Sequence, residues 1–410
     1  MKMLPRLLAL GALAALQACM APPVAAPSTH AAPVEQRAPV TILVSIDGFR
    51  PDYLDRGDTP VLSRLAAEGV RGSMQPSFPT KTFPNHYALV TGLHPDRNGI
   101  VANRMEDARR PGETFTMANT DRFWWDEAKP LWVTAEQAGI RSATMFWPGS
   151  NAPVHGRYPS DWQQFAQAMP ESNRVAAIVD WLRRPAATRP AFLTLYFDTV
   201  DTAGHRFGPD SAEVRAAMRG VDARIGELMQ ELAALGQPVN LIVGADHGMA
   251  PIDASRTIDL NAYLPADAVN VVEDGPYAAF NALPGREQEV RTAITRPAPH
   301  MQCWEKGKLP GRLAYGRNPR VPAFICIAES GWMILSRPPA YPIKGGAHGY
   351  DNDDPLMRAG FVANGPAFRA GQRVEGRNVD VYALVRRLIG LPGASNIDGR
   401  ITPFEGALAE

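Results

Sequence analysis

The chain has no surplus charge of either sign: 42 Lys and Arg stand against 42 Asp and Glu in 410 residues. Without a basic excess there is no global electrostatic hold on a polyanion, which argues against nucleic-acid binding driven by overall charge. It also lacks long apolar runs. The N-terminal stretch Leu7 to Leu16 (LLALGALAAL) is far shorter than the ~20 residues that cross a bilayer. Cysteine is scarce, with three residues, and no internal repeat is visible. What is present is an ordinary 45% hydrophobic share, which excludes wholesale disorder, and 35 Gly with 38 Pro, which predict many loops.

Lys2 and Arg6 ahead of the apolar run read as a secretory signal peptide over residues 1–18. Leu16-Gln17-Ala18-Cys19 resembles a lipobox, which makes Cys19 a candidate acylated first residue; ordinary cleavage after Ala25-Ala26 is the alternative. Residues 19–39 are Ala- and Pro-rich without an apolar face, an extended tether. These features predict an exported protein, periplasmic or an outer-membrane lipoprotein of a bacterium, touching a membrane only through a lipid. Removing Lys2 and Arg6 leaves 40 basic against 42 acidic residues. Cys303 and Cys326 are then an even pair in an oxidising compartment, which favours a disulfide over a reduced buried pair.

From Val40 the pattern alternates. Val40 to Ile46 (VTILVSI) reads as a buried strand ending at Asp47-Gly48, and Asp58-Thr59-Pro60 reads as the cap of a helix carrying Leu62 and Leu65. Helical patterns before Ser142 to Phe146, Ala191 to Phe197 and Val239 to Gly244 repeat the rhythm. The expected fold is therefore α/β: a mostly parallel central sheet covered by helices on both faces, with ligands at the carboxyl ends of the strands. Residues 260–340 break the rhythm and are expected as an insertion or small subdomain within a catalytic domain spanning 40–410.

Four clusters stand at or after predicted strand ends: Asp47 in SIDGFRPDY, Asp201 and His205 in DTVDTAGHRFGP, Asp246 and His247 in VGADHGM, and His348 in GGAHGY. Singly, each is explained as a turn former or a hydrogen-bonded structural residue. Together they supply three carboxylates and three imidazoles, a mixed set suited to two zinc-like ions. Thr82 in PTKTFPNHY is the candidate nucleophile. Pro84 near the start of a helix places it at the N-cap, where free N–H groups favour an anion, although a plain capping role accounts for it equally well.

The motifs IDGFRPDY, PTKTFPNHYALVTGLHPDRNGIVAN, D-x-x-GH-x-x-GP at Asp201 to Pro209, ADHGM, GAHGYDN and GFVANGPAF resemble the nucleotide pyrophosphatase/phosphodiesterase family of the alkaline phosphatase superfamily, in the family's order. The resemblance implies an alkaline-phosphatase-like fold with two zinc ions, one bound by Asp201, His205 and His348, the other by Asp47, Asp246 and His247 together with Thr82. It implies that Asn103 supports a phosphoryl oxygen and that Phe83 and Tyr196 sandwich a nucleobase. The implied reaction is hydrolysis of nucleotide phosphodiester or pyrophosphate bonds to nucleoside monophosphates, through a covalent nucleotidyl-threonine.

Competing readings are a phosphodiesterase acting on lysophospholipid or phosphocholine esters, since an aromatic slot also holds a choline head group, and a phosphomonoesterase of the same superfamily. Monoester enzymes usually add a cation beside the phosphate, and Met145 to Asn151 (MFWPGSN) has none, though Lys81 and Arg104 are near in sequence. A sulfatase is disfavoured because neither Cys303 nor Cys326 stands in a C/S-x-P-x-R context. The non-enzyme alternative is a surface-anchored binding module.

Overall fold

The computed structural model describes residues 35–339 and 342–409. The expected signal peptide, Cys19 and nearly all of the expected tether lie outside the described residues. The chain divides into Met1–Gln36 and Arg37–Glu410, and every element below belongs to the second unit.

Eight strands form the main sheet, in the order Gln372–Arg377, Val70–Gln75, Ala359–Asn364, Val239–Gly244, Val40–Ile46, Phe192–Phe197, Ser142–Met145 and Asp161–Trp162. Only Ala359–Asn364 runs antiparallel to its neighbours; the other pairings are parallel. The three central strands, Val239–Gly244, Val40–Ile46 and Phe192–Phe197, are buried along their whole length. That explains why VTILVSI, FLTLYF and VNLIVG carry almost no outward polar alternation: both faces are covered by helices, as in other parallel sheets. The flanking helices include Glu171–Arg183, Ala212–Ala234 and Asp380–Leu388, whose apolar stripes (for example Val214, Met218, Val221, Ile225, Leu228 and Leu232) join the main core.

One helix start differs from its expected form. Helix Pro60–Ala67 receives no side-chain cap from Thr59. Asp222, on helix Ala212–Ala234, instead accepts from the N–H groups of Val61 (3.0 Å) and Leu62 (2.8 Å). Asp58 is engaged elsewhere, with Arg215 and Arg219 at 2.9 and 2.5 Å. A distant carboxylate thus satisfies the free donors that a local residue usually takes.

Within residues 260–340, strands Val269–Glu273, Tyr277–Ala282, Phe324–Ala328 and Met301–Glu305 form an antiparallel sheet with its own apolar cluster, including Phe280, Phe324, Cys326 and Ile334. Cys303 and Cys326 face each other in register on neighbouring strands and are joined as a disulfide. No described helix is long and apolar enough to cross a membrane.

Candidate active site

The carboxyl ends of the three central parallel strands deliver most of the site. Strand Val40–Ile46 leads directly to Asp47; strand Val239–Gly244 leads to Asp246 and His247; strand Phe192–Phe197 leads into helix Thr199–Phe207, which carries Asp201 and His205 at i and i+4. Adjacent parallel strands end at the same sheet edge, so these residues converge although they are up to 200 positions apart in sequence. The turn at Gly48 (φ +69°) keeps the chain close: a Cβ there would lie 3.3 Å from Asp201. Gly345 (φ +84°) allows the strand Lys344–Ala347 to pass against the Asp201 helix, since a Cβ there would meet His205 O at 2.1 Å.

His348 is positioned by the segment just before Thr82. Its Nδ1 lies 2.8 Å from Thr80 O, Gly349 N–H donates to Thr80 Oγ1 at 2.9 Å, and Thr80 Oγ1 donates to Tyr350 O at 3.0 Å. Thr80 therefore locks the 348–350 loop to the approach of Thr82. This clamp has no local signature and was missed by sequence reasoning.

Two groups of side chains face one another across the site: Asp201, His205 and His348 in one, Asp47, Asp246 and His247 in the other, with ligand-type atoms in each lying within 4.8 Å. Their donor chemistry fits cations. His205, His247 and His348 each set Nδ1 against a backbone carbonyl, respectively Gly346 O (2.9 Å), Gly248 O (3.0 Å) and Thr80 O (2.8 Å). A carbonyl can only accept, so Nδ1 carries the proton and each Nε2 offers a lone pair to the site. The Nε2 atoms of His205 and His348 are 3.0 Å apart. Two lone pairs that close repel unless positive charge lies near both.

The carboxylates tell the same story. Asp47 Oδ1, Asp201 Oδ1 and Asp246 Oδ2 are buried without a hydrogen-bond donor, an arrangement that costs several kcal/mol per charge, on the order seen for unpaired buried ions, unless a cation compensates. Burial and the carboxylates of Asp246 and Asp201 push Asp47 well above the usual carboxylate range. Asp201 is also raised by burial, against the pull of His205 and His247. Asp246 Oδ2 lies 2.9 Å from His247 Nε2, the nitrogen left without a proton, so that contact supplies no donor. Burial, His247 and His205 together push His348 well below the ordinary imidazole value. These strains among neighbouring groups are what divalent ions relieve, and mixed N/O shells suit zinc among other borderline metals.

Thr82 differs from its expected place by one residue. It is the first residue of helix Thr82–Thr91, and Lys81 is the N-cap, without a side-chain bond. The Thr82 hydroxyl is therefore not used for capping; it lies 3.3 Å from His247 Nε2, facing the Asp47 group. Asn103 accepts from Phe83 N–H through Oδ1 at 3.0 Å, which brings its side chain beside Thr82. Phe83 is half-buried and packs against Phe115 and Trp125.

Tyr196 requires a correction. Expected as one wall of a base sandwich, it is 9% exposed and packs edgewise against His86 and Phe165. Its hydroxyl is committed to Asp47 Oδ2 at 2.7 Å. The ring is part of the support behind the carboxylate because it grows from the buried strand beside Asp47. The exposed ring in this cluster is Phe165, at 44%. It lies in an irregular segment whose sequence, QQFAQ, gave no signal.

Comparison with known proteins identifies the family. Residues 41–351 match the family described as type I phosphodiesterase / nucleotide pyrophosphatase. The chain is 38% identical over 369 residues to a bis(5'-adenosyl)-triphosphatase, enpp4, of Xenopus laevis, covering 89% of this chain and 80% of that protein. It is 36% identical over 358 residues to human ectonucleotide pyrophosphatase/phosphodiesterase family member 5, covering 85% and 74%. The solved structure of that human protein superposes with a TM-score of 0.86 at 33% identity, covering 90% of this chain and all of that one. An inactive threonine-to-alanine variant of the murine counterpart, in complex with AMP, gives the same TM-score and identity. Fold, motifs and relatives agree: this chain belongs to the type I phosphodiesterase / nucleotide pyrophosphatase family and is a phosphoric diester hydrolase.

Proposed function

We propose that the chain is a two-zinc nucleotide phosphodiesterase that cleaves nucleotide phosphodiester or pyrophosphate bonds through a covalent nucleotidyl-Thr82. The observation that carries this reading is the Thr82 hydroxyl, free of any capping bond and 3.3 Å from His247 Nε2 in the group whose Asp47 and Asp246 each keep a buried oxygen without a donor. Asp201, His205 and His348 would hold one ion, and Asp47, Asp246, His247 and Thr82 the other. Bound there, divalent ions supply Lewis acidity that favours deprotonated oxygen nucleophiles and offsets phosphoryl charge.

The chain's own residues do the rest. The Thr82 oxygen forms a bond to phosphorus as the bond to the leaving oxygen breaks; water then displaces the threonine oxygen and releases the nucleoside monophosphate. The backbone N–H of Thr82, at the start of helix Thr82–Thr91, and the Asn103 amide donate to non-bridging oxygens as charge accumulates. Phe83 and Phe165 are the rings available to a base, which stacking accepts without regard to its identity. That relatives include a bis(5'-adenosyl)-triphosphatase and a structure holding AMP supports a nucleotide over a phosphocholine ester. Export through the N-terminal signal, with lipidation at Cys19, would set the enzyme to work outside the cytoplasm.

Purified zinc-loaded protein should turn over a p-nitrophenyl nucleotide diester faster than p-nitrophenyl phosphocholine or p-nitrophenyl phosphate. Preference for the monoester would overturn the assignment, and preference for the phosphocholine ester would move the substrate class.

A further inference from the structure

We propose that Tyr196 is a positioning residue for the metal cluster, holding Asp47 so that a single carboxylate oxygen faces the site. The inference rests on the two-ion reading above. Asp47 and Asp246 each have one oxygen tied and one without a donor. Asp47 Oδ2 accepts from Tyr196 Oη at 2.7 Å while Oδ1 has no donor; Asp246 Oδ1 accepts from Gly48 N–H at 3.3 Å while Oδ2 has none. The Gly48 donor belongs to the backbone, which no side-chain substitution removes. The Asp47 donor is one phenol.

That phenol is rigidly held. Tyr196 pairs with Ser45 in the parallel register of Phe192–Phe197 and Val40–Ile46, which sets both side chains beside that of Asp47, two residues after Ser45. Ser45 Oγ contacts His86 Nε2 at 2.8 Å, and the His86 ring packs edgewise on Tyr196 at 5.2 Å. Behind the strand, the buried Arg174 donates to Tyr196 O at 3.0 Å and to Asp198 Oδ1 at 2.8 Å, pinning the backbone from which the ring projects. A carboxylate held by one oxygen cannot rotate to chelate through both, so the hydroxyl restricts Asp47 to one-oxygen ligation and fixes its direction. Groups that orient ligands in this way typically contribute 10–100-fold in metal affinity.

The test uses Tyr196→Phe, which keeps the ring volume and removes only the donor. Zinc content is measured against a series of zinc-buffered chelator solutions, with Tyr53→Phe as a control for loss of a buried hydroxyl, since Tyr53 donates to Pro209 O. The expected result is that Tyr196→Phe retains both ions at high free zinc and loses one at about 10–100-fold higher free zinc than the parent, while Tyr53→Phe titrates like the parent. Matching zinc curves for Tyr196→Phe and parent would overturn the proposal, as would an equal shift in Tyr53→Phe. Should Tyr196→Phe fold poorly, judged by its far-ultraviolet dichroism, Tyr196→His supplies a shorter ring with a donor and is expected to recover part of the lost affinity over Tyr196→Leu; no difference between these two overturns it. A parent protein that binds no zinc would instead refute the two-ion reading itself.

Discussion

The chemistry proposed for Thr82 rests on what surrounds it more than on its being a threonine. Its hydroxyl has no helix donor to cap, its amide lies in the first turn of a ten-residue helix, and its oxygen faces His247. Replacing it should therefore remove chemistry without dismantling the ligand groups. Thr82→Ala is expected to reduce turnover of a nucleotide diester by at least about a thousand-fold, the order seen when a nucleophile is deleted, while metal content stays near that of the parent. Activity near the parent level would rule out Thr82 as the nucleophile. The six members of the two ligand groups stand in short motifs of distinctive composition, whereas Asn103 by itself reads as a turn residue and Thr82 as a cap, so their candidacy came from the family resemblance and from the neighbouring clusters. Tyr196 was misread because its motif does not say which way the hydroxyl points, and Phe165 was missed because nothing around it is distinctive.

At the scale of elements, the alternation of apolar strands and amphipathic helices was plain, since burial on both faces removes polar residues from VTILVSI and VNLIVG and helical stripes repeat at 3.6. Element ends were less plain. The expected local cap on helix Pro60–Ala67 is absent because Asp222 reaches it from a helix 160 residues later. Asp222→Ala should leave two N–H groups without a partner and lower unfolding free energy by about 1–2 kcal/mol, the scale of a lost N-cap. Denaturant titration checks this, and an unchanged midpoint would show that water or a local group replaces the carboxylate.

At the scale of the whole molecule, His94 ties together segments far apart in sequence: its Nδ1 meets Ser77 Oγ at 2.9 Å, and its backbone N–H donates to Asp398 at 2.9 Å. Burial lowers its pKa below the ordinary imidazole value, against the pull of Asp398. The unfolded chain then binds a proton more readily than the folded one, so the contribution is intact above about pH 6.5 and is lost as pH falls toward the folded value. His94→Gln is accordingly expected to lose less unfolding free energy than the parent between pH 7.5 and 5.5; an equal or greater loss refutes the role.

The sequence alone determined the α/β class, the chemical types of the site residues and their order along the chain, because strand burial, helix periodicity and short motifs are local properties. Only the tertiary structure decided which oxygen of Asp47 is free, which residue caps a helix, and how Thr80 binds the His348 loop. Each of those depends on a contact between distant positions, 149 residues apart for Tyr196 and Asp47 and 268 for Thr80 and His348. Such contacts are set by sheet order and strand register, which bring the ends of separate strands to one edge, and no local pattern encodes the direction a side chain takes once it arrives there.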